Sequence, residues 1–222
     1  MFGQRLLVLA GYLCGSICFA YVAGRLWKGI DLREYGSRKL SGSNVHGQIG
    51  VWAMIIVGLA DVSKAVLPTW LGIRLGFDLS VAIMAGLAAM IGHNWPLFFG
   101  FRGGRGIGTA LGTFLVVFPW GVVWILGSVA LGRLTPRAAA VAALLGFVSL
   151  PFFAAVMGQP AATIWGCSGM LAVIILKRLE GNREPFPAGE KPWSVLWRRL
   201  WLDRDISDFD AWIHRTPDAE GA

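Results

Sequence analysis

The stretch Ile107-Gly-Thr-Ala-Leu-Gly-Thr-Phe-Leu-Val-Val-Phe-Pro119-Trp-Gly-Val-Val-Trp-Ile-Leu-Gly-Ser-Val-Ala-Leu-Gly132 decides how the chain is threaded. It is apolar throughout and long for one membrane helix, yet Pro119 sits near its middle, where a missing N–H and a rigid ring favour a turn or kink. Read as one span, it leaves an even number of crossings and puts the first loop and the tail on opposite sides. Both of those regions are rich in Lys and Arg, and the positive-inside rule places such loops together. Split at Pro119, it gives seven crossings with the N-terminus outside. The cytoplasm then receives Arg25, Lys28, Arg33, Arg38, Lys39, Arg102, Arg105, Arg133, Arg137 and the eight basic residues from Lys177 onward, 17 of the 20 in the chain. Only Arg5 and Arg74 fall outside, and Lys64 lies within a span. Each half holds about 13 residues, roughly 20 Å of helix, so local thinning or a re-entrant hairpin accompanies the split.

Other apolar segments run at 6–24, 49–71, 79–98, 138–156 and 160–176. The 222 residues are 55% hydrophobic and 15% charged, with a mean hydropathy of +0.60. Soluble domains carry about 25% charged residues, so an ordinary soluble protein is excluded. The fold expected is all-α: a polytopic integral membrane protein of about seven transmembrane helices, some short or broken. A membrane domain over 1–178 is followed by a cytoplasmic tail over 179–222. The segment 6–24 exceeds a signal-peptide core and no A-x-A site follows it, so it is read as the first span.

The net charge of +7 lies between apolar segments and in the tail, as topology requires, and no nucleic-acid partner is expected. Cys14, Cys18 and Cys167 fall inside apolar segments without disulfide or metal spacing, so they are packing residues and no metal is expected. In the tail, Trp193, Leu196, Trp197, Leu200 and Trp201 recur at i, i+3, i+4, i+7 and i+8, with Arg198, Arg199 and Arg204 nearby. This pattern fits a helix in the cytoplasmic membrane interface, arginines toward anionic lipid, or equally one packed on the membrane domain.

Two loops carry candidate chemistry. The first, Gly36-Ser-Arg-Lys-Leu-Ser-Gly-Ser-Asn-Val45, holds two glycines, three hydroxyls, an amide and two cations within ten residues. Glycines let backbone N–H groups turn inward, while hydroxyls and cations complete the shell of an oxyanion. The second, Gly92-His-Asn-Trp-Pro-Leu-Phe-Phe-Gly-Phe-Arg-Gly-Gly-Arg-Gly106, runs into a helix near Ile107. A glycine run there offers N–H groups and the positive dipole end, flanked by Arg102 and Arg105. G-x4-G-K-[ST] is absent, so no nucleotide is implied. Asp61 and Lys64, three residues apart in the second span, either pair to brace the loops or line the site. His93, at the membrane edge, is either a titrating group or a hydrogen-bonded bracket.

Taken in order, these features resemble the bacterial acyl-phosphate:glycerol-3-phosphate acyltransferase family, the PlsY-like membrane enzymes. Ala10 to Tyr21 is similar to the family's first span, and Gly29-Ile-Asp-Leu-Arg33 with Gly36-Ser37 to the approach to its first motif. Ser43-Asn44-Val45 resembles Thr-Asn-Val, and Asp61, Lys64 and Pro68 match D-x-x-K-x-x-x-P. Gly92-His93 through Pro96 matches G-H-x-x-P, and Phe101 to Gly106 resembles F-K-G-G-K-G with arginine for lysine. The likeness covers roughly residues 5–185.

The resemblance implies acyl transfer from acyl phosphate to the 1-hydroxyl of glycerol 3-phosphate, giving lysophosphatidic acid, with no cofactor. Ser37 and Arg105 are then the catalytic candidates. Lys39, Ser43, Asn44, His93, Arg102, Gly103, Gly104 and Gly106 are the phosphate- and substrate-binding candidates, with Asp61 and Lys64 structural or site-lining. The partners are acyl phosphate, glycerol 3-phosphate and membrane lipid, and the location is the bacterial inner membrane, C-terminus cytoplasmic.

The chain departs from the pattern in two places. G-S-G-N-x-G-A-T-N-V-x-R becomes G-S-R-K-L-S-G-S-N-V-H-G, so Lys39 replaces an Asn and Gly47 the motif arginine. The third motif, H-x-x-N-I-x-R-L-x-x-G-T-E, is reduced to Lys177-Arg-Leu-Glu-Gly181, with Ala172 and Ile175 at the His and Asn positions. Two rival readings therefore stand beside the enzyme: a lapsed homologue that binds lipid or acyl phosphate, and a small anion transporter.

Overall fold

The computed structural model describes residues 1–135 and 138–217; Arg137, counted above among the cytoplasmic cations, and the last five residues of the tail lie outside them. Among the described residues the regular structure is helical: α1 (Phe2–Gly15), α2 (Phe19–Lys28), α3 (Gly42–Gln48), α4 (Val51–Arg74), α5 (Leu79–Asn94), α6 (Ile107–Val117), α7 (Pro119–Arg133), α8 (Ala139–Val156), α9 (Ala161–Glu180), α10 (Pro192–Leu202) and α11 (Phe209–Ile213), with short 3₁₀ turns at Leu97–Phe99 and Gly181–Arg183. Five stretches are long and apolar enough to cross a membrane: Phe2–Lys28, Val51–Arg74, Leu79–Phe99, Ala139–Val156 and Ala161–Arg183. Large side chains such as Leu59, Leu67, Phe152 and Trp165 lie exposed on the bundle's outside. An apolar exterior of this kind suits lipid rather than water. The chain is a multi-pass membrane protein.

The break expected at Pro119 is present. Phe118, at φ −154 and ψ 71, separates α6 from α7. The two helices run out and back. α6 starts at the glycine loop, while α7 ends where Gly132 closes on Ala138, Ala139 and Ala142 at the start of α8. At its other end α7 stacks Trp124 on Phe153, near the end of α8, with ring centroids 4.3 Å apart. Arg178, near the end of α9, donates to the Ala140 carbonyl at 2.9 Å. The start of α6, the end of α7, the start of α8 and the end of α9 therefore share one end of the bundle. With 11 and 15 residues, α6 and α7 span only about 17 and 22 Å.

A second break was not expected. The first span is interrupted at Ser16–Cys18, which carries no proline and no charge. Its first half packs tightly on α5. A Cβ at Gly15 would lie 2.0 Å from the Ala89 carbonyl oxygen, and one at Gly11 would lie 2.4 Å from that of Ala85. Small residues four apart let two membrane helices approach at backbone distance. The main apolar core, built from Met90, Phe114, Phe118, Ile125, Phe147, Leu150, Met170 and Ile174, fills the space between α5, α6, α7, α8 and α9.

In the tail, α10 docks on the ends of α8 and α9. Val195 and Arg199 are buried, Leu200 and Trp201 pack on the main core, and Trp193 and Trp197 remain exposed. The tryptophan stripe is thus divided. Of the two readings of this helix, Arg199 follows the packed one: it points into the protein, where its guanidinium finds the Glu184 carbonyl at 2.7 Å and the Phe186 ring at 5.0 Å.

Candidate active site

The first loop is built around Asn44. Its Nδ2 donates to the carbonyls of Leu32, Tyr35 and Lys39 at 3.0, 3.1 and 3.1 Å, and its Oδ1 accepts from the Ser37 N–H at 3.1 Å. The amide is fully buried and is used up on the backbone of the loop and of the segment leading into it. Gly36 has φ +55, and a Cβ there would strike Asn44 Oδ1 at 2.5 Å, so only glycine lets the loop close on its staple. The result holds Ser37 and Lys39 inward, at 5% and 6% exposure. Ser43 is exposed and bonds to Ser41 Oγ at 3.2 Å, away from them.

The second loop lies against the first and against His93. The Gly104 N–H donates to the His93 carbonyl at 3.1 Å, and a Cβ on Gly104 would lie 2.0 Å from His93 Nε2. The Gly103 carbonyl accepts from the Leu40 N–H at 3.3 Å and from Asn182 Nδ2 at 3.0 Å, joining both loops to the end of α9. Gly106, at φ +72, caps α6. Arg105 is buried and donates through Nη1 to the Lys177 carbonyl at 2.8 Å. Arg102 is exposed, 3.7 Å from Glu184, and is not brought to Ser37.

Asp61, Lys64 and His93 form a separate cluster deeper in the bundle. Lys64 Nζ lies 2.8 Å from Asp61 Oδ1 and 3.0 Å from His93 Nδ1. It also donates to the carbonyls of Gly15 and Ile17 at 3.2 and 2.8 Å. Those carbonyls are freed by the break in the first span. The buried charge and the unwound turn therefore satisfy each other, and His93 links this knot to the glycine loop.

Residues the sequence reading passed over complete the arrangement. Asn182 is buried and bonds Gly103 and, at 3.3 Å, the Arg38 carbonyl. Glu184 pairs with Arg38 at 3.0 Å. The signal for Glu184 was available: the register through Arg178-Leu179 continues to the glutamate that ends the third motif. Arg178, almost fully buried, donates to the Leu200 carbonyl at 2.8 Å and so fastens α10. Asp203, just past α10, reaches between the loops. Its carboxylate pairs with Arg105 and with Lys39 Nζ at 3.0 Å, and its carbonyl also accepts from Lys39.

Electrostatics follow from this crowding. Burial, then the neighbouring Arg105, pushes the Lys39 ammonium down to about 7 against the pull of Asp203. Burial alone would raise Asp203, but Arg105 and Lys39 outweigh it and hold the carboxyl at about 2. Burial lowers Arg199 as well. Ser37 Oγ and Arg199 Nε are buried without a hydrogen-bond partner. Both line one small cavity with Lys39, Arg105, Arg204 and Arg215, whose charge exceeds that of the carboxylates there, Glu184 and Asp205.

The model of the family described as "Glycerol-3-phosphate acyltransferase" matches residues 5–185. "Glycerol-3-phosphate acyltransferase 5" of Dehalococcoides mccartyi is 35% identical over 217 residues, 95% of this chain and 92% of the relative. The "Glycerol-3-phosphate acyltransferase" of a Synechococcus species is 38% identical over 86% of this chain and 96% of its own length. Among solved structures, the glycerol 3-phosphate form of PlsY (YgiH), an integral membrane glycerol 3-phosphate acyltransferase, superposes with a TM-score of 0.75 at 32% identity, covering 82% of this chain and 90% of that one. Its lysophosphatidic acid form gives 0.73 at 31%. With both basic loops folded against one end of a matching helical bundle, this chain belongs to the glycerol-3-phosphate acyltransferase family.

Proposed function

We propose that the protein transfers an acyl chain from acyl phosphate to the 1-hydroxyl of glycerol 3-phosphate, at the cytoplasmic face of the bacterial inner membrane. The observation that carries this reading is the joining of Ser37, Lys39 and Arg105, from two loops, into one buried anion site on a chain of this family. The hydroxyl oxygen attacks the acyl carbonyl carbon, the bond from that carbon to the phosphate oxygen breaks, and inorganic phosphate leaves with the electron pair. The hydroxyl proton passes to the departing phosphate or to water. Acyl phosphate is already activated, so no covalent intermediate on the protein is required, and the protein's task is orientation and charge neutralisation.

In this scheme Arg105 and Lys39 neutralise phosphate and Ser37 Oγ donates to it. Arg102, exposed beside Glu184, meets substrate at the rim. Gly103, Gly104 and Gly106 allow the loop's backbone to lie against His93 and Asn94. Asn44, Asp61, Lys64 and His93 hold the two loops in place. The polar loops and tail share the cytoplasmic end, the N-terminus lies outside, and α6 and α7 supply the two short passes of a seven-pass topology. Membrane lipid surrounds the bundle and takes the acyl chain, and residues 1–178 act as the transferase domain with 179–222 as its tail. The test is purified protein in lipid vesicles with acyl phosphate and radiolabelled glycerol 3-phosphate, run beside Ser37→Ala and Arg105→Ala. Labelled lysophosphatidic acid that falls sharply in both variants is expected; none from folded wild-type protein rejects the reaction.

A further inference from the structure

The family match ends at residue 185, yet the tail beyond it reaches into the anion site. We propose that Asp203 is an affinity-determining residue of that site: its carboxylate holds the anion position between Lys39 and Arg105, and substrate phosphate takes this position by displacing the segment 192–205. This rests on the assignment of Lys39 and Arg105 to substrate phosphate made above.

Three observations support the exchange. The first is chemical: carboxylate and phosphate offer the same kind of charged oxygen to ammonium and guanidinium groups, and phosphate offers more of them. Asp203 satisfies Lys39 and Arg105, but Ser37 Oγ, on the part of the site that stays in place when the tail moves, remains without a partner. A site with more donors than its occupant can use is built for a richer acceptor.

The second is spatial. With the tail docked, the cavity bordered by Ser37, Lys39, Arg105 and Arg199 holds only about 10 Å³, roughly the least a single water needs. A three-carbon phosphate ester cannot bind there until the segment that carries Asp203, and that supplies Arg199, Arg204 and Asp205 to the cavity wall, moves away.

The third is mechanical. Apart from the Asp203 contacts, the tail helix is fastened by Val195, Leu200 and Trp201 packing inward, one hydrogen bond from Arg178 to the Leu200 carbonyl, one from Arg199 to the Glu184 carbonyl, and the Asp205–Arg215 pair at 3.4 Å. Trp193 and Trp197 stay outside, at 82% and 65% exposure. The segment can swing away without unfolding the bundle, whose core lies between α5 and α9.

A docked tail reduces apparent affinity by the fraction of molecules in which the site is open. Asp203→Asn and Asp203→Ala, in full-length protein reconstituted into lipid vesicles, are therefore expected to lower the KM for glycerol 3-phosphate about ten-fold. An unchanged or raised KM overturns the inference, as does a fall in kcat at constant KM, which would make Asp203 a brace for Arg105. A binding readout separates this from the acyltransferase reading. Inorganic phosphate should speed amide hydrogen exchange across 192–205 in the wild type and fail to do so in Arg105→Ala. Phosphate-driven exchange without any lysophosphatidic acid formation would leave the displacement standing and sink the reaction. Normal turnover with a KM and an exchange pattern indifferent to Asp203 and phosphate would do the reverse.

Discussion

Two groups of buried charge sit along the same axis of this bundle, and they are finished differently. Around Lys64, deep in the helices, each charged group has a partner: a carboxylate, a ring nitrogen and two carbonyls released by the broken first span. Around Arg105, at the bundle's end, a hydroxyl and a guanidinium nitrogen lack partners, and the counter-charge comes from a distant part of the chain. Satisfied charge in the interior braces the helices, whereas incomplete charge near the surface leaves a donor free for a ligand, which is the basis of the reaction proposed above.

The sharpest way to break this contrast is Lys64→Met. Losing one partner of a buried ion pair costs about 3–5 kcal/mol, here with two backbone carbonyls orphaned as well. The variant should unfold far earlier than wild type in detergent, and Asp61→Asn combined with it should recover part of the loss. Unfolding at the wild-type temperature would mean that the inner cluster is not structural.

Arg105→Ala comes next. Stability should fall less than in Lys64→Met, because Asp203 keeps Lys39 as its partner, while turnover should fall about 100- to 1000-fold, the cost of removing one preorganised charge stabiliser. Initial rates with labelled glycerol 3-phosphate decide it, and a loss under ten-fold would remove Arg105 from its role. Ser37→Ala should cost less, about ten-fold, as expected for one hydrogen bond to a charged group.

The smallest effect is that of pH. Lys39, pushed down to about 7, carries its charge below that value and loses it above. Anion affinity should therefore weaken as pH rises, with KM increasing about three-fold between roughly pH 6 and 8. Stability moves the other way over the next interval: an unfolded lysine keeps its proton to about 10.4, so from about 7 upward the unfolded chain binds more protons and stability rises with pH. Lys39→Arg should flatten the KM profile, since a guanidinium stays charged throughout. A profile that keeps its slope in that variant would assign the titration to another group.

The same contrast explains what could be read from sequence. Apolar lengths gave the helices, and Pro119 gave the turn between α6 and α7, because proline acts locally. The break at Ser16–Cys18 left no such mark. It exists because Lys64, some 50 residues away, supplies what the freed carbonyls need, a tertiary cause that composition does not carry. Ser37, Lys39 and Arg105 were legible as basic, glycine-rich loops. Asn44 was singled out for substrate, yet its hydrogen bonds in this structure all go to the backbone of the loop and of the segment leading into it. Asp203 was invisible: one acidic residue past an amphipathic helix has nothing in its neighbours to foretell the cations it meets.

The one-residue turn at Phe118 has a consequence for the lipid itself. Trp120, 61% exposed just beyond it, is the kind of side chain that settles at headgroups. Hydrocarbon around α7 must therefore stop well short of its usual depth of about 30 Å, leaving a dimple in the leaflet nearest the turn, beside this flank. Such a dent would let the protein favour short-chain or disordered patches, and would bring neighbouring copies together wherever two dents can merge.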